Sequence, residues 1–149
     1  MAVCAAGATA VTLMAPQTLA QLLEVAVNHH QAGNLKKAEQ LYLKALKHDP
    51  NQPDALNLLG VLTQQLGNTQ KALSLFEQAI EAAPHLASIH FNKGKSLHDD
   101  GRIEGAKAAY EMALSCDPRF PGAILNLSVL LQEKDQTEEA LKYLNTLIK

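Results

Sequence analysis

The chain has 149 residues, a hydrophobic fraction of 47%, only 4% aromatics with no Trp, and a formal net charge of -2. A near-neutral balance without a long Lys or Arg run gives no electrostatic footprint for nucleic acid or for an anionic membrane. Cys4 and Cys116 stand far apart and belong to no CxxC or Cys/His spacing, so neither a disulfide framework nor a zinc site is suggested, and a reducing, cytoplasmic compartment is the expectation.

Residues 1–15, MAVCAAGATAVTLMA, are small and apolar. The stretch carries no Lys or Arg near its start, Gly7, Ala8 and Thr9 interrupt its apolar run, and it is too short to span a bilayer. Residues 1–18 therefore read as a leader, either disordered or a short capping turn, with Pro16 suited to a helix start.

From residue 19 onward the landmarks recur every 34 residues: Ala38, Ala72, Ala106 and Ala140; Tyr42, Phe76 and Tyr110; Ala45, Ala79 and Ala113; Pro50, Pro84 and Pro118; Gly33, Gly67 and Gly101. The units run 19–52, 53–86, 87–120 and 121–149, the last incomplete. In the first, Leu22, Leu23, Val25, Ala26 and Val27 are spaced for one broad helix face, Gly33 breaks the helix, and Asn34 is placed to cap the next. Ala38, Tyr42, Ala45 and Leu46 then share a face of a second helix, which Asp49-Pro50 ends. The second unit is the cleanest copy, with Pro53 in a first turn, Gly67-Asn68 in the inner turn, and small residues Gly60 and Ala72 for close approach. The third puts His90 and Lys93 where its neighbours carry apolar side chains; the expectation is a local hydrogen bond for the imidazole and a packed stem with a solvated ammonium for the lysine. In the fourth, Asp135 replaces the turn glycine and is expected to form a capping pair with Glu138. Leu144, Leu147 and Ile148 have no following unit in this sequence, which is consistent with a longer protein, with self-association into a homo-oligomer, or with coverage by a partner.

Small residues, one aromatic and a closing proline in these slots make residues 19–149 resemble the tetratricopeptide repeat family. The resemblance implies an all-α fold, a right-handed superhelical solenoid of antiparallel helix pairs. It also implies that the first helix of each pair faces a concave groove that holds a peptide segment of a partner protein. On this sequence the inward positions carry Leu23, Val27 and His30; Asn57, Val61, Gln64 and Gln65; Phe91, Asn92, Lys95 and His98; and Leu125, Asn126, Val129 and Gln132. An apolar lane thus runs beside a polar one, although several of these side chains could equally pack between helices or sit solvated. Asn92 and Asn126 can each offer a donor and an acceptor to a peptide backbone. Together they look like part of the asparagine row in the repeat region of O-linked N-acetylglucosamine transferases, but Glu24 and Leu58 break the row in the first two units. The family's carboxylate clamp for chaperone tails does not fit. Leu23, Val27, Leu58, Ser88 and Asn92 in one frame, or Asn57, Val61, Asn92, Gly122 and Asn126 in the next, supply no cation for it.

Nothing in the sequence assembles a catalytic, cofactor or metal constellation, and the chain reads as a non-enzyme. No P-loop, GxGxxG, GxSxG or HExxH is present. His29 and His30 point about 100° apart on a helix, and His90 and His98 lie about 12 Å apart along one axis. Asp99 and Asp100 beside His98 read as a polar helix end, and Lys36, Lys37, Lys44 and Lys47 as a solvated outer face. The leading expectation is a peptide-binding scaffold. Its rivals are the substrate-targeting front of a glycosyltransferase-like enzyme and a self-associating assembly protein.

Overall fold

The computed structural model describes residues 17–149; the leader discussed above, up to residue 16, lies outside them. The described residues form eight helices and no strand: α1 (Leu19–Gln31), α2 (Leu35–His48), α3 (Pro53–Gln65), α4 (Thr69–Ala82), α5 (Ala87–Asp99), α6 (Ile103–Cys116), α7 (Pro121–Glu133) and α8 (Thr137–Ile148). Each helix packs on the next in sequence, so the chain is an all-α solenoid of helix pairs. No helix among the described residues is long and apolar enough to cross a membrane.

The boundaries follow from local chemistry. Thr18 opens α1 with a capping box, its hydroxyl accepting from Gln21 N while the Gln21 side chain accepts from Thr18 N. Prolines stand in the first turns of α3 and α7, where no intrahelical donor is lost. Inside each of the first three pairs the chain reverses at a glycine with positive φ: Gly33 at 82°, Gly67 at 86° and Gly101 at 76°. Asn68 caps α4 by accepting from Lys71 N, whereas the Asn34 side chain makes no such bond at α2.

The expected Asp135–Glu138 capping pair does not form. Gln136 is the N-cap of α8 and lends no side-chain bond, while Asp135 takes φ 57° in the turn. The reversal between helices requires a left-handed residue at this place, and Asp is among the few non-glycine residues that tolerate one.

In the second and third units the interior is built around ring-on-glycine contacts. Tyr42, Phe76 and Tyr110 are almost completely buried, as are Ala38, Ala72, Ala106 and Ala140. A Cβ added to Gly60 would lie 2.6 Å from Cε1 of Phe76, and one added to Gly94 would lie 2.6 Å from Cε1 of Tyr110. The third unit's departures find partners: His90 Nε2 meets the Pro84 carbonyl at 2.8 Å, and Lys93 Nζ reaches Glu77 at 3.6 Å. Burial pushes the Tyr42 phenol up to about 12 and raises the Tyr110 phenol as well.

Two expectations follow. Gly60→Ala gains up to about 1 kcal/mol of helix propensity but puts a methyl 2.6 Å from a buried ring, which must shift, at an overpacking cost of about 1–3 kcal/mol, so urea denaturation should show a net loss. Gly105→Ala, whose Cβ would meet Leu97 at an ordinary 3.4 Å, should be neutral or stabilising in the same assay. The second concerns alkali. The native state holds the Tyr42 proton above its ordinary pKa of 10.0, so this stabilisation is complete below that pH and is lost as pH rises towards 12. The thermal midpoint of the wild type should therefore fall through that window, less steeply for Tyr42→Phe and least for Tyr42→Phe/Tyr110→Phe.

Candidate peptide groove

The curvature of the array can be read from which helices meet. The first helices of successive pairs touch directly, α1 on α3 and α3 on α5, whereas the second helices make no comparable contact. Elements on the inside of a bend are the ones that approach, so α1, α3, α5 and α7 line the concave side.

Polar side chains on this side tie each unit to the next. His30 Nε2 meets Gln65 Oε1 at 2.8 Å between the first and second units. Asn92 Nδ2 donates to Asn57 Oδ1 at 2.9 Å between the second and third, and Asn126 Nδ2 donates to the Tyr110 hydroxyl at 3.3 Å between the third and fourth. His30 also holds the Tyr42 hydroxyl through Nδ1 at 3.1 Å. The Tyr110 phenol is raised by burial, with the Asn126 hydrogen bond opposing that shift.

The inward positions therefore divide by environment. Leu23 and Val27 are half-buried against the core of the first two units, as is Val61. Asn57 is buried at 9% exposure beneath Asn92, which keeps its own Oδ1 and second N–H for other partners. Phe91 is half-buried and turned towards the fourth unit, its ring centroid 5.2 Å from Phe120 and 6.0 Å from Tyr110. A Cβ on Gly122 would lie 2.8 Å from its Cζ, so the ring is held by packing between units. Leu125 and Val129 on α7 are the bare part of the apolar lane, 50% and 47% exposed. Lys95, Gln65 and Gln132 are exposed, and Gln64, His98 and Asn126 half-buried.

Between α3 and α5 the groove deepens into a pocket of about 220 Å³ lined by Val61, Gln64, Phe76, Lys95, Ser96 and Asp99, among others. Phe76 and Tyr110 read from sequence as core residues only. Their recurrence at one period identified the packing slot but did not show that this slot backs onto the groove, where the Phe76 ring edge enters the pocket lining and the Tyr110 hydroxyl meets Asn126. Among the described residues no group of three His, Cys, Asp or Glu could hold a metal ion.

Comparison with known proteins agrees with this geometry. Three models described as tetratricopeptide repeat match residues 18–85, 62–124 and 109–142. Among solved structures, a variant of the O-GlcNAc transferase of Thermobaculum terrenum superposes with a TM-score of 0.72 at 30% identity, over 76% of this chain and 22% of that one. The present chain thus spans less than a quarter of that enzyme. A crystal structure of MamA matches with a TM-score of 0.77 at 22% identity, over 94% of this chain and 82% of that one. MamA of Desulfovibrio magneticus RS-1 gives 0.73 at 21%, over 88% and 74%; these two likenesses are of fold. Comparison with curated protein sequences gave no match. With repeat models together covering the array from Thr18 to Lys142, and the helix pairs, turns and small-residue slots in place, the chain belongs to the tetratricopeptide repeat family.

Proposed function

We propose that this protein is a non-catalytic scaffold that holds a peptide segment of a partner protein along the concave face of α1, α3, α5 and α7. Its family supports the broader reading, a protein-interaction scaffold. The observation that carries the finer one is the placement of amides at repeat spacing beside a bare apolar lane. Asn92 and Asn126 keep hydrogen-bonding capacity towards the groove, and Leu125 and Val129 lie exposed beside them. An extended peptide needs such a pairing: amides for its backbone and apolar ground for alternate side chains. Leu125 and Val129 are better placed as anchors than Phe91, whose ring already packs against Tyr110 and Phe120.

A second reading is favoured by the 30% identity to the Thermobaculum terrenum transferase and by the asparagine pair: the array would deliver substrate to a glycosyltransferase-like catalytic domain. Reading the transcript beyond the codon for Lys149 tests it. An in-frame catalytic domain supports this role and an immediate stop overturns it.

For the leading reading, peptides selected from a random library on the wild-type chain should bind an Asn92→Ala/Asn126→Ala double variant about tenfold more weakly, the loss expected when two backbone hydrogen bonds go. Circular dichroism establishes that the variant is folded, and unchanged affinity removes the two asparagines from the site.

A further inference from the structure

Hydroxyls from the second helices reach the groove in the first and third units but not in the second. Tyr42 and Tyr110 occupy one slot of the repeat, and each brings its hydroxyl to a groove side chain, Tyr42 to His30 at 3.1 Å and Tyr110 to Asn126 at 3.3 Å. In the second unit the slot holds Phe76. Gln64 stands one 34-residue period after His30, so it meets a ring where His30 meets a hydroxyl. Its Oε1 is shut off from solvent and has no hydrogen-bond partner, an unfavourable state for a buried acceptor.

Gln64 and Phe76 line the same pocket of about 220 Å³, with Val61, Ser96, Gln65 and Asn92 beside them; of its amide oxygens Gln64 Oε1 is the one that is buried without a partner. An apolar cavity of about 150 Å³ is known to take benzene, so there is room here for a six-membered ring and a substituent. Lys95 and Asp99, both exposed, contribute opposite charges to the lining, and the balance selects for neither sign. A basic guest side chain would have to give up hydration beside Lys95 to reach an uncharged acceptor, which does not repay it. A phenylalanine would fill the space and leave Gln64 as it is.

We propose that this pocket receives an aromatic side chain bearing a hydrogen-bond donor, tyrosine foremost, from the bound peptide. Its ring lies against Val61 and the edge of Phe76, and its hydroxyl donates to Gln64 Oε1 once the Gln64 side chain turns that oxygen into the pocket. The guest thereby supplies the hydroxyl that Tyr42 and Tyr110 supply in their own units. This inference rests on the groove reading above and adds a residue class to it.

The test compares library-selected peptides with twins in which tyrosine is replaced by phenylalanine, using fluorescence anisotropy on the full chain. Selected peptides should be enriched in tyrosine or tryptophan, and the phenylalanine twin should bind roughly fivefold more weakly, the worth of one hydrogen bond to a buried acceptor. Phe76→Tyr restores an internal hydroxyl and should stay folded while levelling the two peptides; Gln64→Leu, which removes the acceptor, should level them too. Groove-dependent peptides without aromatic enrichment, or a tyrosine advantage that persists in both variants, overturn the pocket and leave the groove standing. A library that yields no peptide sensitive to the Asn92→Ala/Asn126→Ala change overturns the groove reading and the pocket with it.

Discussion

A bulky side chain laid across a small residue is the contact on which the array depends, a ring over glycine in the second and third units and Tyr42 with Ala26 in the same two slots of the first. A pair of helices 13 and 14 residues long is too short to be stable alone and must bury its apolar faces at close range. Phe76 over Gly60 and Tyr110 over Gly94 bring the helices of a pair near enough to do so, because the missing methyl leaves the hollow that the ring fills. The fourth unit meets the same requirement differently. Its ring slot holds Leu144, and Ser128 stands in the glycine slot, where its hydroxyl donates to the Ile124 carbonyl at 2.7 Å and lies 3.4 Å from the Ala140 carbonyl. A smaller side chain on one helix is matched by a larger, self-satisfied one on the other.

Each unit inherits its orientation from that crossing. With the crossing fixed, the extended Asp49 and Asp117, which precede prolines, and Ala83, which does the same, turn the chain into the next first helix. Three of the four first helices are then close enough for direct contact or for amide-to-amide hydrogen bonds. The groove is a by-product of interior packing, and its polar residues are those that the packing leaves facing inward.

The sequence discloses much of this because a period is a strong constraint. Every turn glycine and every closing proline sits where the 34-residue spacing puts it. His90 and Lys93 break the apolar pattern, and each has the kind of local partner that their chemistry demands. Less legible were features that depend on which way a side chain leaves its helix. Asp135 and Glu138 have capping-box spacing, yet the backbone needs Asp135 one step earlier as a left-handed turn residue. Asn57 and Asn92 lie 35 residues apart, one off the period, so a residue-by-residue alignment of the units separates two amides that bond in space. Periodicity places residues in equivalent positions; it does not report contacts between positions that are not equivalent.

The hydrogen bonds that fasten neighbouring units have a mechanical consequence. Each of the three junctions carries one on the inner face: His30 with Gln65, Asn57 with Asn92, and Tyr110 with Asn126. A solenoid whose units touch only their neighbours behaves as a spring, with its pitch set junction by junction. Here the fasteners lie on the surface that a guest would occupy. Any guest that draws one of these side chains to itself loosens a coil of the spring, and stretching the spring withdraws the same side chain from the guest.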